Sequence, residues 1–485
     1  MTLTSKILRP FTSRVIAALV LTVCVHTAAA QSADNILPAG IQLVLDGYKL
    51  PADSYSFLVQ EINGSQPLLA VNTAAALNPA STMKILTTLA ALEVLGPAYT
   101  WNTSLYALGT LEAGTLTGDL LIKGGGDPFL VEENFRNMLK ALQRQGVQKI
   151  TGDLIIDTSY FDATVSEQAI IDNQSSRTYN VLPDALMVNF QAVTFFFTPH
   201  VNGVDVVITT DPRLPNLHIT NNLKLGSGGC TGFQRGIVFN EVESSPGDIV
   251  FSGTFPARCG RFQLPRAVLD PPTYAFGMFQ QLWKELGGEF SGAVYLSQVP
   301  AGQQSLLVWA SPPLSEVIRS INKFSNNLMT RQLLLTLGAE KFGAPATVTK
   351  GIEAAQEYLS NHKINTQSLV LENGAGLSRA ERISSALMVE ILQRGYSTNL
   401  MPEFIASLPI GGVDGTMRNR LKESDARGNM HIKTGSLDEV SAIAGYVNAR
   451  SGKVYAVSGM LNHELADRGP GTELMDAFLN WVYDQ

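Results

Sequence analysis

Apolar and polar positions alternate first in Tyr55-Ser56-Phe57-Leu58-Val59, meet an Asn63-Gly64 turn, and resume from Pro67 to Val71. That pattern predicts a β-hairpin over 54–72. A short loop, Ala75 to Ala80, follows. The period then changes: Met83, Ile85, Leu86, Leu89, Leu92 and Leu95 leave almost no polar face, which predicts a buried central helix starting at or next to Ser81. Gly96-Pro97 is its stop signal.

Past residue 103 the texture is different. Thr117-Gly118-Asp119-Leu120-Leu121-Ile122 resembles Thr151-Gly152-Asp153-Leu154-Ile155-Ile156, and between them Phe135, Met138, Leu139 and Leu142 fall at helical spacing. This predicts a β-α-β unit. A related helix–strand pair recurs later, with Phe276, Phe279, Leu282, Trp283 and Leu286 as the helical stripe and 291–296 as the strand. Residues 191–265 instead alternate in short runs with turns at Asn202-Gly203 and Pro246-Gly247, a β-rich texture. The simplest arrangement is nested. An outer domain, 31–102 and 302–485, receives an α/β insertion, 103–190 and 266–301. A β-rich unit, 191–265, is inserted into that. The outer domain resumes with helices over Leu314 to Leu337, Ile352 to Ser360 and Ser384 to Gln393. It closes with strands over His431 to Lys433, Ala442 to Val447 and Val454 to Leu461, then a terminal helix.

Residues 1–30 read as an export signal. Lys6, Arg9 and Arg14 precede an apolar stretch, Val15 to Val25, and Ala28-Ala29-Ala30 offers a cleavage site. That stretch is too short to span a bilayer, and no other apolar run approaches 18 residues, so no stable membrane span is expected. Cleavage leaves 32 basic against 42 acidic residues, about −10; with no basic stripe, nucleic-acid binding is disfavoured. The mature chain keeps two cysteines, Cys230 and Cys259, and an exported even pair predicts one disulfide. Six scattered histidines show no metal-ligand spacing, so no metal is expected.

The candidate chemistry lies in three motifs in order: Ser81-Thr82-Met83-Lys84, Ser325-Asn326-Asn327 and Lys433-Thr434-Gly435. S-x-x-K alone means little, since a chain of this length shows about two by chance. This one also has Ser320/Lys323 and Ser360/Lys363, but only Ser81 opens a long apolar helix. S-x-x-K, S-x-N and K-T-G together are the parts of an acyl-enzyme serine hydrolase with a lysine base. Serine and lysine three apart share a helix face. A buried lysine among cations loses its proton readily and can then take the serine's. Asn327 has a donor and an acceptor for a substrate amide, and Ser325 can pass a proton to a leaving amine. Lys433, Thr434 and Ser436 can meet a terminal carboxylate. Gly435 leaves room for substrate along a strand edge, and the N–H groups of Ser81 and Ser436 can form an oxyanion hole. The bland reading makes Ser81 and Ser325 mere helix caps; three motifs in order disfavour it.

Ser325 follows Ser81 by 244 residues. That gap resembles the DD-carboxypeptidase/endopeptidases of the penicillin-binding protein 4 type, peptidase family S13. Further matches are GGGDP at 124–128, DTSYF at 157–161, Pro183-Asp184-Ala185-Leu186, GAGLSR at 374–379 and LPIGGVDGT at 408–416. The resemblance covers essentially the whole mature chain. It implies an α/β, β-lactamase/transpeptidase-like fold, an antiparallel sheet flanked by helices, with two nested inserted domains. It implies a periplasmic enzyme without cofactor that cleaves D-Ala-D-Ala ends, and D-Ala-diaminopimelate crosslinks, through acyl-Ser81. The implied partners are peptidoglycan peptides, β-lactams as inhibitors, and a homodimer as the oligomer to test. The resemblance also places Arg379 against a diaminopimelate carboxylate and makes Tyr179 the aromatic of a second recognition element. The family's Asp ahead of the GLSR turn is Asn373 here, and the acidic position five residues before Tyr179 is Gln174. Two alternatives stand beside this reading: a β-lactamase or esterase, which would consume penicillin, and a non-catalytic peptidoglycan-binding protein, which would release no D-Ala.

Overall fold

A computed structural model describes residues 37–485 apart from 168, 169 and 243; the expected export signal lies outside the described residues. One frame of the fold is a five-stranded antiparallel sheet. Its order is Met430–Leu437, Val440–Asn448, Val454–Asn462, Tyr55–Glu61, Pro67–Val71. The last two strands are the hairpin read from the alternation. In the second strand, alternate residues serve two cores. Ile443 and Val447 face a layer with Ile41, Leu474 and Phe478 from the Ala39–Tyr48 and Pro470–Tyr483 helices. Ala442 and Ala444 face Leu86, Leu89 and Leu92 of the Lys84–Leu95 helix. That helix is therefore central and buried, as its nearly unbroken apolar sequence predicts.

The expected β-α-β unit is present. Thr115–Lys123 and Leu154–Asp157 pair in parallel, joined by the Glu132–Arg144 helix. The later helix–strand pair joins the same sheet: Val294–Leu296 pairs in parallel with Leu154–Asp157, and Phe279, Leu282 and Trp283 pack with Phe135, Met138 and Leu139. Leu307–Ala310, antiparallel to Asn102–Glu112, brings the chain back. Residues 193–266 form two three-stranded sheets around Phe195, Phe197, Phe251 and Phe255. Cys230 and Cys259 are bonded, with Cα atoms 5.4 Å apart.

One element differs from expectation. The helical run read as Leu314 to Leu337 is two helices, Leu314–Phe324 and Asn327–Phe342. Ser325 ends the first in the left-handed region (φ 57°), and the Asn326 side chain starts the second by accepting from Met329 N–H at 3.0 Å. Apolar periodicity runs across this break, so the pattern did not reveal it. Among the described residues no helix is long and apolar enough to cross a membrane.

Candidate active site

Ser81 lies in a single 3₁₀ turn, Ala80–Met83, that feeds the Lys84–Leu95 helix. The turn is strained, with Ala80 held at φ 44°, a region alanine avoids. Its neighbours hold it there. Asn78 Oδ1 accepts from Ala80 N–H at 2.9 Å, and Asn78 Nδ2 donates to Ser378 O at 2.8 Å. Two glycines press against it. A Cβ on Gly435 would come 2.4 Å from Pro79 O, and one on Gly376 would come 1.8 Å from Ala80 O. The glycine of K-T-G was expected to make room for substrate. The structure adds a second reason for it: Gly435 also makes room for the backbone of the serine turn.

Lys84 is fully buried. Its Nζ reaches Ser81 Oγ at 2.9 Å, Asn327 Oδ1 at 2.7 Å and the Ala375 carbonyl. Burial, then the charge of Lys433, holds the amine well below its ordinary value, with Glu381 opposing. A neutral lysine keeps two donors and one lone pair. Asn327 and Ala375 take the donors, which leaves the lone pair for the Ser81 hydroxyl.

The helix break at Ser325 brings its Oγ within 2.9 Å of Lys433 Nζ, which also donates to Thr434 O at 2.8 Å. Lys433 is buried on the edge strand Met430–Leu437, and burial pushes it down to about 7. Thr434 Oγ1 meets Thr416 Oγ1 at 2.8 Å, and Ser436 is exposed at the strand's outer end. Ser81, Lys84, Asn327, Ser325 and Lys433, drawn from three distant segments, thus form two hydrogen-bond groups, one around each lysine.

Sequence reasoning missed what holds Lys84. Glu381 is fully buried, and its Oε1 accepts from the N–H groups of Glu372 (3.0 Å), Asn373 (2.9 Å) and Gly374 (3.1 Å). Successive N–H groups folded round one oxygen make an anion nest. The turn so fixed offers Gly374 O to Thr87 Oγ1 at 2.7 Å and Ala375 O to Lys84. Burial raises the Glu381 carboxyl, against its backbone hydrogen bonds and Lys84. Asn373 closes the same turn, donating to Leu377 O and accepting from Ala375 N–H, both at 2.9 Å. The available signal was the GAGLSR segment itself.

Arg379 and Tyr179 stand further out. Arg379 donates to Asp438 O at 2.7 Å and pairs with Asp172 at 3.0 Å. Gln174, at the departing position, instead accepts from Arg177 Nε at 2.9 Å. Asp172, Arg379, Ser378, Glu372 and Arg331 line a cavity of about 760 Å³. Tyr179 is exposed, and its carbonyl lies 3.4 Å from Asn327 Nδ2.

A sheet with this helix layer, carrying S-x-x-K, S-x-N and K-T-G at its edge, is the fold of the crystal structure of penicillin binding protein 4 (dacB) from Haemophilus influenzae. The two superpose with a TM-score of 0.79 at 25% identity, over 92% of this chain and 99% of that one. The β-lactam complex of that protein gives a TM-score of 0.75 at 24% identity over 92% of this chain and 100% of that one. The D-Ala-D-Ala carboxypeptidase 3 (S13) family model matches residues 39–482, and the chain belongs to that enzyme family. Two curated relatives agree. It is 27% identical over 424 residues to the D-alanyl-D-alanine carboxypeptidase DacB of H. influenzae, covering 86% of this chain and 88% of that one. It is 30% identical over 393 residues to the D-alanyl-D-alanine carboxypeptidase of Actinomadura sp. (strain R39), covering 78% and 72%.

Proposed function

We propose that this protein is a serine DD-peptidase that releases the terminal D-Ala of peptidoglycan stem peptides through an ester on Ser81. The observation that carries the reading is the buried Lys84 amine set between Ser81 Oγ and Asn327 Oδ1. Neutral Lys84 takes the Ser81 proton as Oγ attacks the penultimate D-Ala carbonyl carbon. The C–N bond then breaks, and the departing amine receives a proton passed through Ser325. Water hydrolyses the ester and regenerates the serine. Asn327 holds the amide on the acyl side. Lys433, Thr434 and Ser436 meet the leaving residue's carboxylate, and the N–H groups of Ser81 and Ser436 receive the oxyanion. The same attack opens a β-lactam ring, in which the amine stays tethered and impedes hydrolysis.

Cleavage of D-Ala-diaminopimelate crosslinks is the finer part of the proposal. The Arg379–Asp172 pair supports it, because a charged pair beside the site can exchange partners with an amino acid's carboxylate and ammonium. Asp172 then takes the role that Gln174 cannot. We also read residues 1–30 as an export signal to the periplasm, which the Cys230–Cys259 bond supports. We read 103–190 with 266–301, and 191–265, as inserted domains.

Intact mass after penicillin tests the reading. A persistent adduct on wild type and none on Ser81→Ala is expected. Penicillin consumed with no adduct would make the protein a β-lactamase, and penicillin left intact would overturn the assignment of Ser81.

A further inference from the structure

A second cavity, of about 480 Å³, lies between the Thr178–Asn180 turn, the Phe233–Gly236 turn and the Phe262–Arg266 strand. Arg177, Arg235 and Arg266 line it, with Tyr179, Phe239 and Phe262 as its aromatic walls. No carboxylate occurs among the described residues of its lining. In a chain of net charge −7 this concentration of one sign is anomalous. None of the three arginines forms an ion pair with a described residue, whereas Arg379 nearby pairs with both Asp172 and Asp438.

Two of the arginines make neutral contacts instead. Arg177 Nε donates to Gln174 Oε1 at 2.9 Å, and Arg266 donates to Pro265 O at 2.8 Å with its guanidinium 6.0 Å from the Phe239 ring centre. Arg266 is half-buried, and burial together with the charge of Arg177 lowers its pKa. Like charges kept close without a counter-ion are unfavourable, and an anion entering the cavity relieves that. Planar guanidinium forks match carboxylates in particular.

The cavity adjoins the reaction centre. Tyr179 lines it, and the Tyr179 carbonyl meets the side chain of Asn327, itself 2.7 Å from Lys84. Ala267 N–H donates to Ser176 O at 2.9 Å and ties the arginine-bearing strand to the Tyr179 segment. Lys433 and Thr434, assigned to the leaving carboxylate, belong to a different strand. What lies past Asn327 therefore meets the acyl portion of the substrate.

We propose that this cavity is a subsite for a free carboxylate on the acyl side of the substrate peptide, held by Arg177, Arg235 and Arg266 against aromatic walls. This rests on the DD-peptidase reading. It makes the enzyme selective for acidic stem peptides over amidated ones.

The test uses two pentapeptides ending in D-Ala-D-Ala, identical except that the α-carboxylate of a γ-linked glutamyl residue is free in one and amidated in the other. Calorimetry on the Ser81→Ala protein measures binding without turnover. The free acid should bind about tenfold or more tightly than the amide, the worth of one charge-assisted hydrogen-bonded pair. Arg177→Gln/Arg235→Gln, added to Ser81→Ala, should erase that preference while the melting temperature stays near its parent's. Equal binding of the two peptides, or a preference that survives the arginine changes, overturns the subsite. D-Ala release by the wild type is a separate readout: its absence alongside a retained binding preference would sink the DD-peptidase reading and leave the anion subsite standing.

Discussion

Gly376→Ala is the sharpest perturbation of the serine turn. Gly376 sits at φ +74°, and an added Cβ would lie 1.8 Å from Ala80 O, 2.2 Å from Ala80 C and 2.7 Å from Ser81 N. The left-handed conformation alone costs a Cβ-bearing residue about 1–2 kcal/mol. The collision comes on top, and because the atoms struck are backbone, no side chain can swing away. Contact at 1.8 Å is far inside the ordinary van der Waals range, so the 374–376 turn or the Ala80–Ser81 peptide must move by about an ångström. Forced overpacking adds about 1–3 kcal/mol, for a total of about 2–5 kcal/mol. Gly428→Ala is the control: φ is +80°, yet nothing lies within 4 Å of the new Cβ. It should lose only the conformational part. Chemical unfolding gives the stabilities, and stopped-flow acylation by a fluorescent penicillin reads the site. Gly376→Ala should acylate about 100-fold more slowly, the loss expected when a reacting group moves by about 1 Å. Gly428→Ala should react at the wild-type rate. If Gly376→Ala matched the control in both stability and rate, the account of the serine turn would be wrong.

Glu381→Gln leaves an oxygen in the nest but removes the anion that raises Lys84, so Lys84 should deprotonate at lower pH; the acid limb of the acylation pH profile should shift down, and an unmoved limb would refute the coupling. Burial puts Lys433 at about 7, so its charge is lost as pH rises through that value; KM for a carboxylate-ended substrate should rise above neutrality, and a flat KM from pH 6 to pH 9 would contradict it. Asp127 is buried, and burial raises its carboxyl from 3.8 to about 7. The folded state then holds a proton that the unfolded state has released, so stability falls as pH rises from 3.8 to about 7. Asp127→Asn should stabilise the protein at pH 8, by up to ~4 kcal/mol, and little at pH 4; equal melting shifts at both pH values would refute this.

The elements that sequence disclosed are those in which local pattern and tertiary demand agree. The 54–72 hairpin and the helix after Ser81 follow from apolar spacing, and the β-α-β unit from its repeated T-G-D-L segments. The three motifs were legible because each is a short contiguous string, and the fold brings all three to one place. What stayed hidden depends on contacts between distant segments. Ser325 breaks a helix whose apolar rhythm never pauses. Glu381 sits between Ala380 and Arg382, where a lone acid reads as surface; it is buried because the 372–374 turn wraps it. Gly435 is glycine for the sake of Pro79, a neighbour only in three dimensions. Asp172 finds Arg379 across two hundred residues, and no periodicity reports such a pairing.

The main sheet joins Phe57 to Gly459, so a strand near one end of the described chain pairs with one near the other. Lys433 arrives only with that late strand group. During synthesis the serine and its lysine emerge early but have no sheet to dock on, while residues 103–310 can already pair among themselves. Long-range pairing of this kind is slow and comes last. The Ser81–Lys84 segment is therefore made long before the strand that completes its surroundings. A chain cut anywhere ahead of the final strands would carry Ser81 and Lys84 intact in sequence, yet lack Lys433 and the sheet on which their helix packs.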